Sequence, residues 1–241
     1  MSTQNEPRPA VEKSRPIYLA ACAAIAAGLQ ESAGFTYAKS GPHARKHADD
    51  FTFQISFQSS TRNSAAAHVA VWIHAYVFSP KIQRWRAGFP ILRPWNFIAG
   101  GQIGNLTRPA AWLEWDFSRA ENRAAAAHSA ITVIETLAFP FFASFENLAA
   151  LEQQLSAEDM PAFTAQGMLE FLLCFASQNS AHLAGTNYLR RNPALVPAYR
   201  QYCAQYSLSG LDQRVQSGSA EQLAFASLAY GLGDLSEDRQ S

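Results

Sequence analysis

Phe51-Thr52-Phe53-Gln54-Ile55-Ser56-Phe57-Gln58 alternates apolar and polar side chains without a break. A period of two places the apolar set on one face of an extended chain, so this stretch predicts a half-buried β-strand. Beyond the turn-rich residues Ser59 to Ala65, a second alternating run follows. In it Ala67, Val69, Val71, Ile73, Ala75 and Val77 are interleaved with His68, Ala70, Trp72, His74 and Tyr76. Two such runs across a short polar connection predict that Phe51–Gln58 and Ala67–Val77 pair antiparallel. Phe53, Ile55, Val69, Val71 and Ile73 would then face the core. A slip of one residue would invert every side chain, so the register is strongly specified. Pro80 ends the second run, and Trp95–Ala99 and Ala111–Phe117 are further strand candidates around the Gly100-Gly101 and Gly104 breakers.

Upstream and downstream the period becomes helical. Tyr18, Cys22, Ile25 and Leu29 form one stripe of an amphipathic helix that stops at Gly34. The basic Lys13 and Arg15 ahead of the apolar run Ile17–Leu29 imitate a secretion signal. The run is too short to span a bilayer, and cleavage after Ala33 would put Glu31 at the −3 position, so we read a core-facing helix. From Ser118 onward, Ser118-Arg119-Ala120-Glu121 reads as a capping box for a helix that reaches about Leu137 and stops before Pro140. Asn147–Leu155, Pro161–Ser177, Ser180–Arg190 and Pro193–Tyr206 follow, and Ser219 with Gln222 reads as a last capping box before Glu221–Tyr230. The expected fold is α+β: an N-terminal helix and an antiparallel sheet of about four strands, followed by an all-helical C-terminal half. Residues 1–14 read as a flexible tail, 15–117 as helix plus sheet and 118–241 as a helical region packed on that sheet, in one continuous domain.

The composition narrows the functional classes. The chain has 241 residues, 48% of them apolar and 43 of them alanine, enough for a sizeable core. Basic and acidic residues number 19 each, which excludes a strongly cationic nucleic-acid coat and an acidic disordered tail. Their distribution is uneven. Residues 1–116 carry 12 basic and 7 acidic side chains, and residues 117–241 carry 7 and 12. Between Ala124 and Leu189 six carboxylates stand without one lysine or arginine. The cysteines Cys22, Cys174 and Cys203 are far apart, without CxxC spacing and flanked by apolar residues. They read as buried reduced thiols, which fits a cytoplasmic protein.

Motifs for chemistry are sparse. His43 and His47 have a spacing that recurs in zinc sites, but they fall in an apparent loop, Ser40 to Asp50, beside Arg45 and Lys46. We therefore expect no metal and no cofactor. There is no GxSxG elbow, no cysteine in an electropositive setting, and no GxGxxG or GxxxxGK phosphate loop. Glu114 and Asp116 share a strand face, with a salt partner expected among Arg84, Arg86 and Arg93. The basic and aromatic segment Lys81–Arg93 could stack bases, although the zero net charge argues against nucleic acid as the partner. His68 and His74 flank Trp72 on one strand face and read either as packed sheet residues or as part of a contact face. His128 and His182 read as packed rather than catalytic.

Several stretches together resemble a family. They are Gly34-Phe35-Thr36-Tyr37-Ala38-Lys39-Ser40-Gly41, Phe51 to Ser60 with Asn63, Gly100-Gly101-Gln102-Ile103-Gly104-Asn105-Leu106 and Trp112-Leu113-Glu114-Trp115-Asp116. They resemble a bacterial family of uncharacterised domains encoded near polymorphic and contact-dependent toxins. The resemblance spans about Ile17 to Trp115, with Phe141-Phe142 and Phe145 matching more loosely. It implies an immunity protein and supplies no catalytic residue. The expected function is thus non-enzymatic: binding and neutralisation of a cognate toxin protein by occlusion, in the cytoplasm, with no membrane involved. Candidate contact residues are Trp72, His74, Tyr76, Arg84, Trp85 and Arg86 on the basic half, and Glu146, Glu152, Glu158 and Asp159 on the acidic half. The alternatives are a small-molecule enzyme with a sheet–helix pocket, using His68 or His74 as a base, and a weak single-stranded nucleic-acid binder.

Overall fold

The computed structural model describes residues 13–64, 67–89, 95–211 and 218–237. Helix α1 (Ser14–Ala33) is followed by the meander β1 (Thr36–Ala38), β2 (His43–Ala48), β3 (Phe51–Ser59), β4 (Ala70–Phe78) and, after helix α2 (Pro80–Ala87), β5 (Phe97–Gln102). Every neighbouring pair is antiparallel, in the order β1-β2-β3-β4-β5. A sixth strand, β6 (Glu114–Asp116), pairs with the first half of β4, beside the stretch that β5 occupies. The expected β3–β4 pair is present, with Phe57 opposite Ile73 and Ile55 opposite Ala75. Phe53, Ile55, Val69, Val71 and Ile73 are all buried.

The sheet is larger than the expected four strands, and the difference has a local cause. Most of the expected loop, Ser40 to Asp50, is β2 and its turn into β3. Only Ala44 of that strand is fully buried, so its polar sequence carries no alternation to detect. Asp49, with φ of 49°, makes the turn into β3. On a strand His43 and His47 lie about 13 Å apart, too far to share one ion.

α1 buries Ile17, Tyr18, Cys22, Ile25 and Leu29, and Gly34 ends it in the left-handed region (φ 72°). Its neighbour α3 (Arg123–Val133) crosses close at Gly28, where a Cβ would stand 2.4 Å from Ile131 Cδ1. The anticipated capping box before α3 does not form. Asp116 captures Ser118 instead, accepting from its amide and its hydroxyl at 2.9 Å each, and α3 begins only after a 3₁₀ turn at Ala120–Asn122. Nor does the helix stop before Pro140. Proline offers no amide hydrogen to the preceding turn, and the backbone absorbs the defect as a π turn, Ile134–Ala138, before continuing as α4 (Phe139–Ala143). The 120–146 run is apolar enough to cross a membrane by length and composition, with mean hydropathy 1.3 and 28% of that window buried. Its inner residues Ala127, Ala130, Ile134 and Ala138 belong to the core.

Helices α5 (Leu148–Ala157), α6 (Ala165–Phe175), α7 (Gln178–Arg191), α8 (Val196–Ser209) and α9 (Ser219–Ala229) complete the fold. Gly218 rather than Ser219 caps α9, and Gln222 instead accepts from the Gln166 amide at 3.4 Å. Phenylalanines weld the sheet to this half: Phe53 stacks on Phe142 at 4.9 Å, Phe51 on Phe175 at 5.2 Å, and Phe171 on Phe175 at 4.9 Å.

Candidate functional site

The expected contact residues meet two different fates. On β4 the side chains that alternate away from the core are Trp72, His74, Tyr76 and Phe78, all half-buried. Along the strand their rings fall into two contacting groups. His74 stacks on Tyr76 at 5.7 Å, Tyr76 meets Phe78 and Phe97 at 6.0 Å each, and Trp72 meets Trp112 edge-on at 5.1 Å. The row runs about 20 Å along the strand. Burial holds the pKa of His74 below the ordinary histidine value and raises that of Tyr76, so both rings are neutral at neutral pH.

At the β6 end the row meets a polar cluster. Glu114 lies opposite Trp72, and its Oε2 accepts from Trp72 Nε1 at 3.0 Å. His68 sits between two carboxylates, its Nε2 3.5 Å from Glu114 and its Nδ1 3.6 Å from Asp116. Among the described residues this histidine replaces the arginine partner anticipated from sequence; Arg93 lies outside them. Burial opposes ionisation of Asp116. Amides of Val69 and Ser118, the Ser118 hydroxyl and His68 outweigh that cost and hold its carboxyl below the usual range. Trp112 is 59% exposed, and next to it lies a cavity of about 520 Å³.

Two of the other basic-half candidates, Trp85 and Arg86, serve the fold. Arg86 is buried and pairs with buried Glu170 through both Nε, at 2.7 Å, and Nη2, while Nη1 donates to the carbonyls of Trp95 and Phe97. Gln166 and the Tyr230 hydroxyl also donate to Glu170. Burial and this carboxylate push the Tyr230 hydroxyl far above its ordinary pKa. Trp85 packs against Phe89 at 4.7 Å and Tyr230 at 5.3 Å. Arg84 is exposed on α2.

Of the six carboxylates between Ala124 and Leu189, three pair with arginines distant in sequence. Arg108 reaches Glu158 at 3.1 Å, and Arg191 reaches Asp159 at 2.7 Å. Glu152 accepts from Ser180, and Glu170 is inside the core. Glu146 remains exposed. His182 bonds the Leu232 carbonyl at 2.9 Å, and His128 is exposed rather than packed. All three cysteines are free, and burial pushes the Cys22 thiol up to about 12. Among the described residues no group of three or more His, Cys, Asp or Glu is placed to hold a metal.

No family model, curated protein or solved structure matches the chain. Sequence reading placed Trp72, His74 and Tyr76 on one face. Phe78 lies one residue beyond the run Ala67–Val77, and Phe97 and Trp112 join the surface only through the strands that flank β4, so none of the three is legible there from sequence.

Proposed function

We propose that this is a non-enzymatic binding protein of the immunity type, which docks a cognate toxin protein on the aromatic face of its sheet and neutralises it by occlusion in the cytoplasm. The observation that carries the reading is the half-exposed row Trp72, His74, Tyr76, Phe78 and Phe97. Large, rigid aromatic side chains lose little entropy on binding and dominate interface energies. The strands beneath hold them in place, so little reorganisation opposes docking. The resemblance of residues 17–115 to domains encoded near toxins supplies the class of partner, and it rests on the quoted residues alone.

The pairing of Glu158, Asp159 and Glu170 argues against the acidic half as the principal surface. Charges already matched within the protein project a weaker field toward a basic partner. Co-expression tests the proposal. The product of the neighbouring gene, expressed alone, should arrest growth, and this protein should restore it. The double variant Trp72→Ala/Tyr76→Ala should fail to restore growth while folding normally. A neighbouring product that is harmless, or a double variant that protects fully, overturns the proposal.

A further inference from the structure

We infer that the cavity of about 520 Å³ beside Trp112 is a binding site for a neutral, polyhydroxylated ligand, a saccharide unit. The inference goes beyond toxin docking and does not depend on it.

Two indoles form its walls. Trp112 is 59% exposed, and Trp72 stands at 81° to it with ring centres 5.1 Å apart. Trp72 is held by the 3.0 Å bond from its Nε1 to Glu114, which also lines the cavity. Trp112 thus offers an aromatic face to solvent next to an open volume. Such a face carries negative charge density and attracts the weakly positive C–H edges of a saccharide ring.

The remaining lining explains why the ligand is uncharged. Arg62 supplies only donors and Glu114 only acceptors, and Ser60 and Thr61 hydroxyls supply both. His68 adds a ring nitrogen beside Glu114. The formal charges of Arg62 and Glu114 cancel. A cation gains Glu114 but meets Arg62, and an anion gains Arg62 but meets Glu114, so neither sign has a net advantage. Neighbouring hydroxyls, each both donor and acceptor, satisfy both groups at once. The volume lies within the range of about 300–1,000 Å³ typical of small-molecule sites.

The test uses the full chain, isotope-labelled so that the indole N–H resonances of Trp72 and Trp112 are followed. The probes are methyl α-glucopyranoside, methyl α-mannopyranoside, methyl β-galactopyranoside and N-acetylglucosamine, with tetramethylammonium chloride and sodium acetate as ionic probes. At least one saccharide should shift both indole signals saturably, with a dissociation constant of about 1 mM. Trp112→Ala should weaken that binding about tenfold or more, whereas Trp112→Phe, which keeps a ring face, should stay within about threefold of the wild type. Trp112 is largely exposed, so both variants should keep the wild-type fold, and the remaining amide spectrum verifies this. No saturable response to any saccharide, saturation by the ionic probes alone, or unchanged binding in Trp112→Ala each overturns the inference. Because Tyr76 and Phe97 lie outside this cavity, Tyr76→Ala should leave saccharide binding intact, which separates this result from a failure of toxin docking.

Discussion

The sheet and the helical half both carry conspicuous side chains, and the fold treats them differently. On the sheet, His74, Tyr76, Phe78 and Phe97 meet ring to ring, Trp72 meets Trp112, and the five sheet rings Trp72, His74, Tyr76, Phe78 and Phe97 stay half-exposed. In the helical half, Glu158, Asp159 and Glu170 look unpaired in sequence, yet each is met by an arginine from elsewhere in the chain: Arg108, Arg191 and Arg86. A charge run along a sequence is therefore a poor guide to the field outside the molecule. Aromatic side chains alternating outward on a strand keep the exposure that their sequence pattern predicts, because the strand itself fixes where they point.

The largest effect should come from breaking the internal neutralisation where it is buried. Arg86→Met leaves Glu170 in the core with Gln166 and Tyr230 as its remaining donors and should cost about 3–5 kcal/mol, read as a fall in the urea midpoint. Arg86→Met/Glu170→Leu should recover much of that loss, since both charges are then gone. A backbone change on the sheet comes next. Gly100 has φ of 129°, and an added Cβ would stand 2.1 Å from the Ala75 carbonyl oxygen. Gly100→Ala should therefore cost about 1–3 kcal/mol and disturb the Tyr76 signals beside it.

Arg191→Ala removes a partly exposed partner of Asp159 and should cost about 1 kcal/mol or less in thermal unfolding. The sheet face should show a pH signature instead. Burial lowers the folded-state pKa of His74 and, together with Arg45, that of His43. The unfolded chain then takes up these protons first. Stability should be complete above the ordinary histidine value of about 6.5 and fall as pH drops through the window below it, a slope that His74→Gln should reduce. Glu146→Lys, on an exposed site, should change stability by less than about 0.5 kcal/mol.

Legibility in the sequence followed the physics of each element. β3 and β4 were readable as an antiparallel pair with named core-facing residues, because their apolar side chains alternate with more polar ones. β2 was not, because His43-Ala44-Arg45-Lys46-His47-Ala48 buries only Ala44 fully. The helix through Pro140 was cut short because a proline signals a stop, and only the π turn shows how the chain continues. Trp72, His74 and Tyr76 were legible as one face. Trp112 joins them only because β6 pairs with β4, a contact between residues about forty positions apart. Arg86 and Glu170, 84 positions apart, carry no local pattern that would announce a pair.

The most direct test of the account is the affinity of the neighbouring gene's product for three proteins: the wild type, Trp72→Ala/Tyr76→Ala and Glu146→Lys/Glu152→Lys. With circular dichroism verifying that all three are folded, the aromatic variant should bind about 100-fold more weakly than the wild type. The lysine variant should stay within about threefold. An aromatic variant that binds like the wild type, alongside a lysine variant that does not bind, would contradict the account and move the interface to the helical half.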